Sequence, residues 1–515
     1  MANAEKGNAF LDSRNRQTQS GDELGPSPDH LSAKAAALTA DTDPTTIEKI
    51  AVDAAALPPI AQRRVLDTIK RQTGIPFGTL QAVIRKQSAG GDTDHLALAR
   101  QVRAGIGYEN MLASDDCVWR WHEAGVWRPA EVRAVRGLVQ NHIADTGKQV
   151  TKGLVDSVTD LLTTDIYRPE HQFDGGNPET VNTPSGELVL GNDGWSLQPH
   201  QREHYRTTQI PVAYDPAAHA PRFLQFLKEI FPDADGEQKA QAVLEMMGYT
   251  LLAHSRHERF VILVGAGANG KSVLLAVLEA LCGHENVAGV QPSQFGNRFQ
   301  RGHLHLKLAN VVTEIEQGAV MDDAALKGIT SGEPTTVEHK FRNPFQMRPF
   351  STCWFGTNHM PHTRDFSDAL FRRALVLQFN AVFKPEHGNH DPNLQAKLID
   401  ELPGILNLAL AHYSKAMRDG LTIPESSERA RKEWRLEADQ VAQFVEVACE
   451  VDADVRQKPQ DLFNDYLKWA KDSGIHRTMS EPGFRSRLQA LGFERTKRNG
   501  VRWFIGLRST YLFIE

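Results

Sequence analysis

A phosphate-binding loop is the clearest chemical motif in this sequence of 515 residues. Every fixed position of the pattern G-x-x-x-x-G-K-[ST] is matched by the run Gly265-Ala266-Gly267-Ala268-Asn269-Gly270-Lys271-Ser272. Glycines allow backbone N–H groups to surround phosphate oxygens. Lys271 can then bridge the β- and γ-phosphates of a nucleotide, and the Ser272 hydroxyl can bind Mg²⁺. Residue frequencies give about 0.02 such matches by chance in a chain of this length, which argues against a glycine-rich turn without nucleotide.

Two later strand ends carry side chains suited to nucleotide hydrolysis. In the run LANVVTEIEQG, Glu314 and Glu316 follow an apolar strand, and a carboxylate beside a phosphate loop can hold Mg²⁺ and the attacking water. In STCWFGTN, Asn358 ends another strand, where its amide can orient that water and contact the γ-phosphate. An exposed strand-end acid is the alternative for Glu314, and the phosphate loop favours the functional interpretation.

Two arginines, Arg372 and Arg373, stand immediately before a final apolar strand, ALVLQF. A guanidinium is always charged and presents a fork of donors, so it can stabilise a transferred phosphate, often from a neighbouring subunit. A surface ion pair is the alternative, and it would be preferred if the surrounding motifs were absent.

The elements that must position these residues predict an α/β fold. Phe260–Val264 is typical of a buried strand, and VLLAVLEAL after Ser272 is typical of a helix whose N-terminal dipole would add to the anion site. Two further segments, CVWRWHEAGVWRP and VNTPSGELVLGNDGWSLQPH, predict β-hairpins, and PRFLQFLKEIFP and EQKAQAVLEMMGYTLLAH predict amphipathic helices.

Six segments are predicted along the chain. They are a flexible arm (1–46), a small helical bundle or linker (47–94), an α+β domain (95–240), the ATPase core (241–385), a helical connector (386–438) and a C-terminal domain (439–515). The bundle could also read DNA as a helix-turn-helix, but three short helices are common and a linker is preferred.

The C-terminal domain concentrates positive charge. Its sequence predicts three helices followed by a two-stranded wing, which is a winged-helix-like arrangement. Basic residues interleaved with Phe493, Trp503 and Phe504 suit phosphate contacts and stacking. A solvated basic face is the alternative. The predicted DNA contacts here are Arg485, Arg487, Arg495, Lys497, Arg498 and Arg502.

The overall composition is that of an ordinary globular protein, with 24% charged and 40% hydrophobic residues. The formal net charge of −6 excludes a wholly basic nucleic-acid coat but permits a basic patch. The cysteines, Cys117, Cys282, Cys353 and Cys449, form no C-x-x-C pair, which excludes a cysteine zinc finger and fits a reducing cytoplasm. A signal peptide and a membrane-spanning apolar run are not expected, so no membrane partner is predicted.

These motifs, in this order, resemble those of the superfamily 3 helicases, and more narrowly the phage and plasmid primase-helicases related to the poxvirus D5 helicase-primase. The similarity extends from about His95 to the C-terminus and is most specific from about Arg259 to Phe383. Beyond the phosphate loop it is carried by VNTPSGELVL, MMGYTLL, TEIE, LKGITSGEPTTVEHKFRNPFQMRPF, FGTN and FRRALVLQF.

The resemblance implies an AAA+-like ATPase that uses ATP and Mg²⁺, assembles as a homo-hexamer and moves, typically 3′ to 5′, along single-stranded DNA. Lys271 and Ser272 would bind the phosphates and Mg²⁺, with Glu314 as a further metal ligand, and Asn358 would be the sensor of the γ-phosphate. Glu314 and Glu316 would form the acidic motif. Because their spacing is E-x-E rather than adjacent, the sequence leaves open which of them polarises water.

The resemblance also implies an arginine finger and a DNA-gripping pore hairpin. Arg373 is the first choice for the finger and Arg372 the second. A cation beside an aromatic ring suits a sugar-phosphate strand, although a solvated turn is the plainer interpretation. The hairpin residues expected to contact DNA are His339, Lys340, Phe341 and Arg342.

The expected function is that of a replicative DNA helicase of a phage, prophage or plasmid, acting on forked DNA in the cytoplasm of a bacterial host. A separate primase or other replisome proteins are expected partners. One alternative is a bifunctional primase-helicase, which is disfavoured because no aspartate pair closes a hydrophobic strand and no cysteine zinc site occurs. The other is an origin-binding initiator in which ATP drives only assembly.

Overall fold

The computed structural model of the chain consists of two compact units, one up to Arg100 and the other from Gln101 onward. It describes residues 27–88, 94–114, 117–122, 124–316, 320–340, 343–363, 365, 367–384, 386, 391–475, 478–498 and 500–511. Most of the predicted N-terminal arm, residues 1–26, therefore lies outside the described residues. In the described parts, no helix has both the length and the apolar character needed to cross a membrane.

The first unit is helical. Its helices are α1 (Pro28–Ala36), α2 (Pro44–Asp53), α3 (Pro59–Thr73), α4 (Phe77–Ser88) and the start of α5 (His95–Ile106). The predicted arm to residue 46 is too long, because α1 forms within it. The Ser27 hydroxyl accepts from the backbone N–H of His30 and caps α1, and Leu31 is fully buried against Val65 and other apolar residues.

The second unit begins with two small antiparallel sheets and the helices around them. Both predicted hairpins are confirmed: β2 pairs with β3, with Trp121 opposite Trp127, and β5 pairs with both β4 and β6. The elements are β1 (Met111–Ser114), β2 (Cys117–His122), β3 (Val126–Ala130), α6 (Val132–Asp145), α7 (Lys152–Asp165), β4 (Thr180–Thr183), β5 (Gly186–Gly191), β6 (Gly194–Gln198) and α8 (Pro221–Ile230).

A five-stranded parallel sheet forms the centre of the second unit. Its strands are β7 (Phe260–Val264), β8 (Val287–Ala288), β9 (Ala309–Val312), β12 (Thr352–Thr357) and β13 (Ala374–Gln378), in the spatial order β13-β7-β12-β9-β8. Since all neighbours are parallel, the carboxyl ends of the strands meet at one edge, which is where open α/β sheets bind ligands. The other elements are α10 (Lys271–Cys282), α11 (Arg298–Arg301), α12 (Asp323–Thr330), β10 (Thr335–Val337), β11 (Phe345–Met347) and α13 (Asp368–Phe371).

Four further helices, α9 (Gly236–Thr250), α14 (Leu394–Ile399), α15 (Leu402–Asp419) and α16 (Glu425–Ala438), surround this sheet. The predicted domain boundary between residues 240 and 241 falls inside α9, which packs closely on α15. A Cβ atom at Gly248 would lie 2.5 Å from the carbonyl oxygen of Ala409. The side chain of Lys239, also on α9, is 1% exposed, and its Nζ donates to the carbonyl oxygen of Gln378 at 3.2 Å and to Asp233. The helix is therefore part of the core.

The C-terminal region folds as three helices with two small sheets. Its elements are α17 (Gln440–Ala448), β14 (Cys449–Glu450), β15 (Arg456–Gln457), α18 (Pro459–Asp472), α19 (Glu481–Ala490), β16 (Arg495–Arg498), β17 (Val501–Ile505) and β18 (Arg508–Ser509). The predicted hairpin β16–β17 is present, β15 adds a third strand to it, and β14 and β18 form the second sheet. Phe444, Leu462, Tyr466, Phe484 and Phe504 form the apolar core of this region.

Candidate functional site

The phosphate loop connects the end of β7 to the start of α10. Gly270 has φ +91°, and a Cβ atom there would lie 2.5 Å from Cγ2 of Ile230 on α8. At Gly265, a Cβ atom would lie 2.3 Å from the Asn269 side chain and 2.5 Å from the carbonyl oxygen of Phe379. Both glycines are therefore required by close packing around the loop, and the backbone of Gly270 also favours a residue without Cβ.

The ammonium group of Lys271 lies within the loop. Its Nζ donates to Oδ1 of Asn269 at 3.3 Å and also to the carbonyl oxygen of Gly265. Burial lowers the pKa of Lys271 from its usual value, because the charged form loses solvation, while the negative charge of Glu314 acts in the opposite direction. The lysine is thus held close to the strand end from which the acidic side chain projects.

A cavity of about 600 Å³ lies at the carboxyl edge of the sheet and brings together most of the predicted site residues. Nδ2 of Asn358, which follows β12, donates to Oε1 of Glu314, which follows β9, at 3.1 Å. Glu316 is exposed and is not among the residues that line the cavity. The intervening residue, Ile315, is buried, and its N–H donates to the carbonyl oxygen of Gly356 at 2.9 Å. The predicted residues that line the cavity are Gly267, Ala268, Asn269, Gly270, Lys271, Ser272, Glu314 and Asn358.

The predicted Mg²⁺ ligands, Ser272 and Glu314, both face this cavity. Among the described residues no group of three or more His, Cys, Asp or Glu side chains could hold a metal ion. Mg²⁺ bound with a nucleotide does not need such a group, because it usually takes one or two protein oxygens together with phosphate oxygens and water. A hydroxyl and a carboxylate facing one cavity therefore fit this cation.

The two candidate finger arginines have different environments. Arg373, the first choice, is 9% exposed, and its guanidinium donates to the Ser331 hydroxyl at 2.8 Å, to the carbonyl oxygen of Ala369 at 2.6 Å and to Glu258. Because these contacts hold the guanidinium of Arg373 within its own chain, Arg373 is not retained as the candidate arginine finger. Arg372 is exposed and forms no ion pair with the residues that the structure describes, so it becomes the candidate.

Positive charge surrounds Arg372. The side chain of Arg259 donates to the backbone carbonyl of Arg372. The pKa of Arg259 lies below its usual value, first because of burial and then because of the positive charges of Arg431, Arg372 and Arg373. This group of arginines stands at the amino edge of the sheet, opposite the phosphate loop, because β13 begins immediately after Arg373 and runs parallel to β7.

The predicted pore hairpin is formed by β10 and β11, with Thr335 opposite Met347. Lys340 is exposed near its tip, and the ring of His339 contacts Phe345 at a centroid distance of 5.4 Å. Two predicted contacts, Phe341 and Arg342, lie outside the described residues. The sequence prediction did not include α11, where Arg301 donates to the carbonyl oxygen of Thr336 at 3.0 Å and braces the hairpin.

The basic residues of the C-terminal region divide into paired and exposed groups. Arg487 is corrected as a DNA contact, because it forms a buried ion pair with Asp439 at 2.6 Å, with the two side chains 11% and 1% exposed. Arg485 pairs with Glu481 one turn away. The side chain of Arg495 lies 6.0 Å from the ring centroid of the buried Phe504.

Lys497 and Arg502 are exposed and stand directly opposite each other on β16 and β17. Arg498 ends β16, and its side chain lies outside the described residues. On the other face of this sheet the sequence prediction missed Arg456 and Lys458, whose charged groups lie 5.2 and 5.9 Å from the ring centroid of Trp503. These two residues precede Arg485, the first basic residue predicted to contact DNA, by 29 and 27 positions, so the local charge pattern did not reveal them.

Two family profiles match parts of the chain. Residues 94–232 match the family described as “D5 N terminal like”. Residues 263–373, which include the phosphate loop after its first strand and extend to Arg373, match a family of unknown function, DUF5906. The first match covers the two small sheets and α8, and the second covers most of the parallel sheet.

Viral proteins and a solved structure are also similar to the chain. A protein of Acanthamoeba polyphaga mimivirus named “Putative helicase” is 23% identical over 292 residues, which are 51% of this chain and 30% of that protein. A protein of Invertebrate iridescent virus 6 with the same description is 24% identical over 206 residues, 35% of this chain and 20% of that protein. The chain thus spans less than a third of either relative. The apo structure of the NrS-1 C-terminal region has a TM-score of 0.49 and 13% identity, covering 79% of this chain and 98% of that one.

Proposed function

Because this chain is related to the D5-like primase-helicases, we propose that it is an ATP- and Mg²⁺-dependent replicative DNA helicase of a phage, prophage or plasmid. The observation that carries the proposal is the meeting of Lys271, Glu314 and Asn358 in one cavity beside a phosphate loop. Lys271 would bind the β- and γ-phosphates, and Glu314 would accept a proton from the attacking water. Asn358 would orient that water and contact the γ-phosphate.

A ring of identical subunits is part of the proposal, and the placement of Arg372 supports it. β13 pairs with β7 from Ala374 opposite Phe260 to Gln378 opposite Val264. The amino edge, where Arg372 stands, is four residues along the strand from the edge that carries the phosphate loop. At roughly 3.3 Å per residue, the two edges are about 13 Å apart. Arg372 therefore stands at the opposite edge of the sheet from the nucleotide cavity of its own chain. It would serve the cavity of the next subunit, as an arginine finger in trans.

Two surfaces are proposed to contact DNA. The hairpin of β10 and β11 presents Lys340, and in a hexamer these hairpins would line the central channel and move with the hydrolysis cycle. On the C-terminal sheet, Lys497 and Arg502 place two positive charges directly opposite each other. Like charges in such a cross-strand pair repel, and a nucleic-acid phosphate would neutralise them. Single-stranded and forked DNA are the proposed substrates.

The test is an unwinding assay on forked duplexes with a 3′ or a 5′ tail, together with electron microscopy of the ATP-bound particle. We expect ATP-dependent strand separation, with the 3′-tailed fork preferred, and a six-membered ring. Lys271→Ala is the matched inactive variant, since it removes the phosphate-binding ammonium. A chain that remains monomeric with ATP and DNA and hydrolyses no nucleotide would overturn the proposal. Sequence-specific duplex binding without strand separation would favour an origin-binding initiator instead.

A further inference from the structure

The nucleotide cavity is also lined by two elements outside the phosphate loop. Among its lining residues, Arg222, Phe226 and Glu229 come from α8, and Phe383 and Leu394 come from the segment after β13. Phe383 is anchored there because its backbone N–H donates to the carbonyl oxygen of Ala268 at 2.7 Å. The phosphate loop contributes glycines and polar groups to the lining, whereas these two elements contribute apolar side chains together with the charged Arg222, Glu229, Lys384 and Asp391. Such a lining suits a flat, largely apolar ring with a few polar atoms.

The amino-terminal part of α8, which carries Arg222, precedes the part of the helix that contacts the phosphate loop. A Cβ atom at Gly270 would lie 2.5 Å from Ile230 and 3.3 Å from the ring of Phe226, so the carboxyl-terminal half of α8 packs on the loop. Arg222 lies one turn before Phe226, which is about 6 Å further along the helix. The side chain of Arg222 reaches back along the helix to Glu229. Its guanidinium lines the same cavity as Phe226, Phe383 and Leu394, whose apolar side chains suit a nucleoside rather than a triphosphate.

The hydrogen bonds of Arg222 are incomplete within the protein. Its Nη2 donates to Oε2 of Glu229 at 3.0 Å, and Oε1 of Glu229 accepts from Nε2 of Gln225 at 2.8 Å. Glu229 therefore fixes the orientation of the guanidinium. Nη1 of Arg222 is buried and has no hydrogen-bond partner among the residues that the structure describes. A buried donor without an acceptor is unfavourable, which indicates that a ligand atom completes it.

We propose that Arg222 binds the nucleoside part of the nucleotide, by donating from Nη1 to an acceptor atom of the ribose or the base, with Glu229 as its positioning residue. This inference rests on the proposed function, because it assumes that Lys271 and the phosphate loop hold the triphosphate in the same cavity. The region that matches the D5-like N-terminal family, which includes α8, would then form part of the nucleotide site.

The experiment compares the binding of ATP with that of inorganic triphosphate, which has no nucleoside, to the full-length chain in the presence of Mg²⁺. Titration calorimetry is carried out on the wild type, Arg222→Ala, Arg222→Lys and Lys271→Ala. Lys228→Ala is the matched control, since Lys228 is an exposed cation on the same helix that does not line the cavity. Thermal unfolding without ligand checks that each variant is folded.

We expect Arg222→Ala to weaken ATP binding about tenfold or more and to leave triphosphate binding unchanged, as a hydrogen bond from a charged donor predicts. Arg222→Lys should lose part of the ATP affinity, because lysine lacks the fork that reaches both partners. An equal loss for both ligands would make Arg222 a phosphate ligand and overturn the inference, as would unchanged ATP affinity. If Lys271→Ala binds both ligands as tightly as the wild type, the phosphate-loop assignment fails instead.

Discussion

Nδ2 of Asn358 donates to Oε1 of Glu314 at 3.1 Å, so the ends of two neighbouring parallel strands are joined by their side chains. The strands β9 and β12 are in register, with Val312 opposite Phe355. The residues that follow them therefore emerge side by side at the carboxyl edge of the sheet. The amide donates to one oxygen of the carboxylate, so the remaining carboxylate lone pairs are available to a metal ion or a water molecule.

Glu314→Gln should abolish ATP hydrolysis while preserving ATP binding. The amide keeps the shape of the side chain but cannot accept a proton, and a general base typically contributes a factor of about 10²–10⁴ to the rate. Steady-state ATPase assays and nucleotide titration measure the two properties separately. Glu316→Gln is the control, because Glu316 does not line the cavity, and it should retain most of the activity. The opposite pattern would assign the role to Glu316.

Arg372→Ala should remove hydrolysis and spare ATP binding, because the proposed finger would act on the nucleotide of a neighbouring subunit. An arginine finger contributes on the order of 10³–10⁵ to the rate. Mixing Arg372→Ala with Lys271→Ala subunits should restore part of the ATPase activity, since an interface between the two can combine an intact loop with an intact finger. No recovery at any mixing ratio would contradict a role in trans.

Arg373→Ala is the comparison for the Arg372→Ala experiment, and its main effect should be to lower the stability of the folded chain. The substitution leaves the Ser331 hydroxyl and Glu258 without their guanidinium partner beside the start of β13. The midpoint of thermal unfolding should fall more for Arg373→Ala than for Arg372→Ala, whose side chain is exposed.

Lys340→Ala should uncouple unwinding from ATP turnover. The side chain is exposed on the hairpin and lies outside the nucleotide cavity, so basal ATPase activity should remain while strand separation falls. The ratio of base pairs separated to ATP hydrolysed, measured on one forked substrate, tests this. Gln346→Ala, which changes an exposed residue on β11 of the same hairpin, should leave that ratio unchanged.

Arg487→Ala and Lys497→Ala should have opposite consequences. Removing Arg487 leaves the buried Asp439 carboxylate unpaired, which predicts a loss of about 3–5 kcal/mol in the free energy of unfolding of the C-terminal region. Lys497→Ala removes only an exposed charge, so stability should persist while DNA affinity and its salt dependence decrease. Urea unfolding and titration of single-stranded DNA at two salt concentrations distinguish the two effects.

The partly buried ring of His305 should make the stability of the fold depend on pH. Burial, with the charges of His339 and Lys307, lowers its pKa from 6.5 to about 4. Between these values the unfolded chain binds a proton that the folded chain does not, so stability is present above pH 6.5 and falls as the pH decreases towards 4. The contribution is up to about 3 kcal/mol. His305→Phe should flatten the decline in unfolding free energy between pH 7 and pH 5, whereas the exposed His303→Phe should not.

Local patterns predicted the parts of the site that depend on short segments. The apolar run Phe260–Val264 and the glycines after it predicted the strand and loop of the phosphate site, and the structure places β7 at those five residues. Glu314 and Asn358 were also predicted from sequence, because Asn358 directly follows an apolar strand and Glu314 follows another after one intervening residue. The resemblance to the D5-like primase-helicases, inferred from the same motifs, is confirmed by the family match to residues 94–232 and by the viral relatives.

The residues that sequence analysis assigned differently or did not single out depend on contacts between residues far apart in the chain. Nothing near Arg373 in the chain indicates burial, because its partner Glu258 is 115 residues away and its partner Ser331 is 42 residues away. Arg487 was likewise counted as a free basic residue, although Asp439, 48 residues earlier, neutralises it. Arg222 lies in a helix whose pattern showed only amphipathicity, and its place in the cavity depends on how α8 packs on Gly270.

Because α9 packs into the core, it limits how short a fragment of this protein can be and still fold. A polypeptide starting at residue 241 would lack Lys239, which ties residue 233 to the end of β13, and would begin inside the helix that packs on α15. It would also lack α8, leaving Gly270 exposed on one side. Expression of the parallel-sheet region alone should therefore begin ahead of Pro221, since shorter versions would expose apolar surface and aggregate.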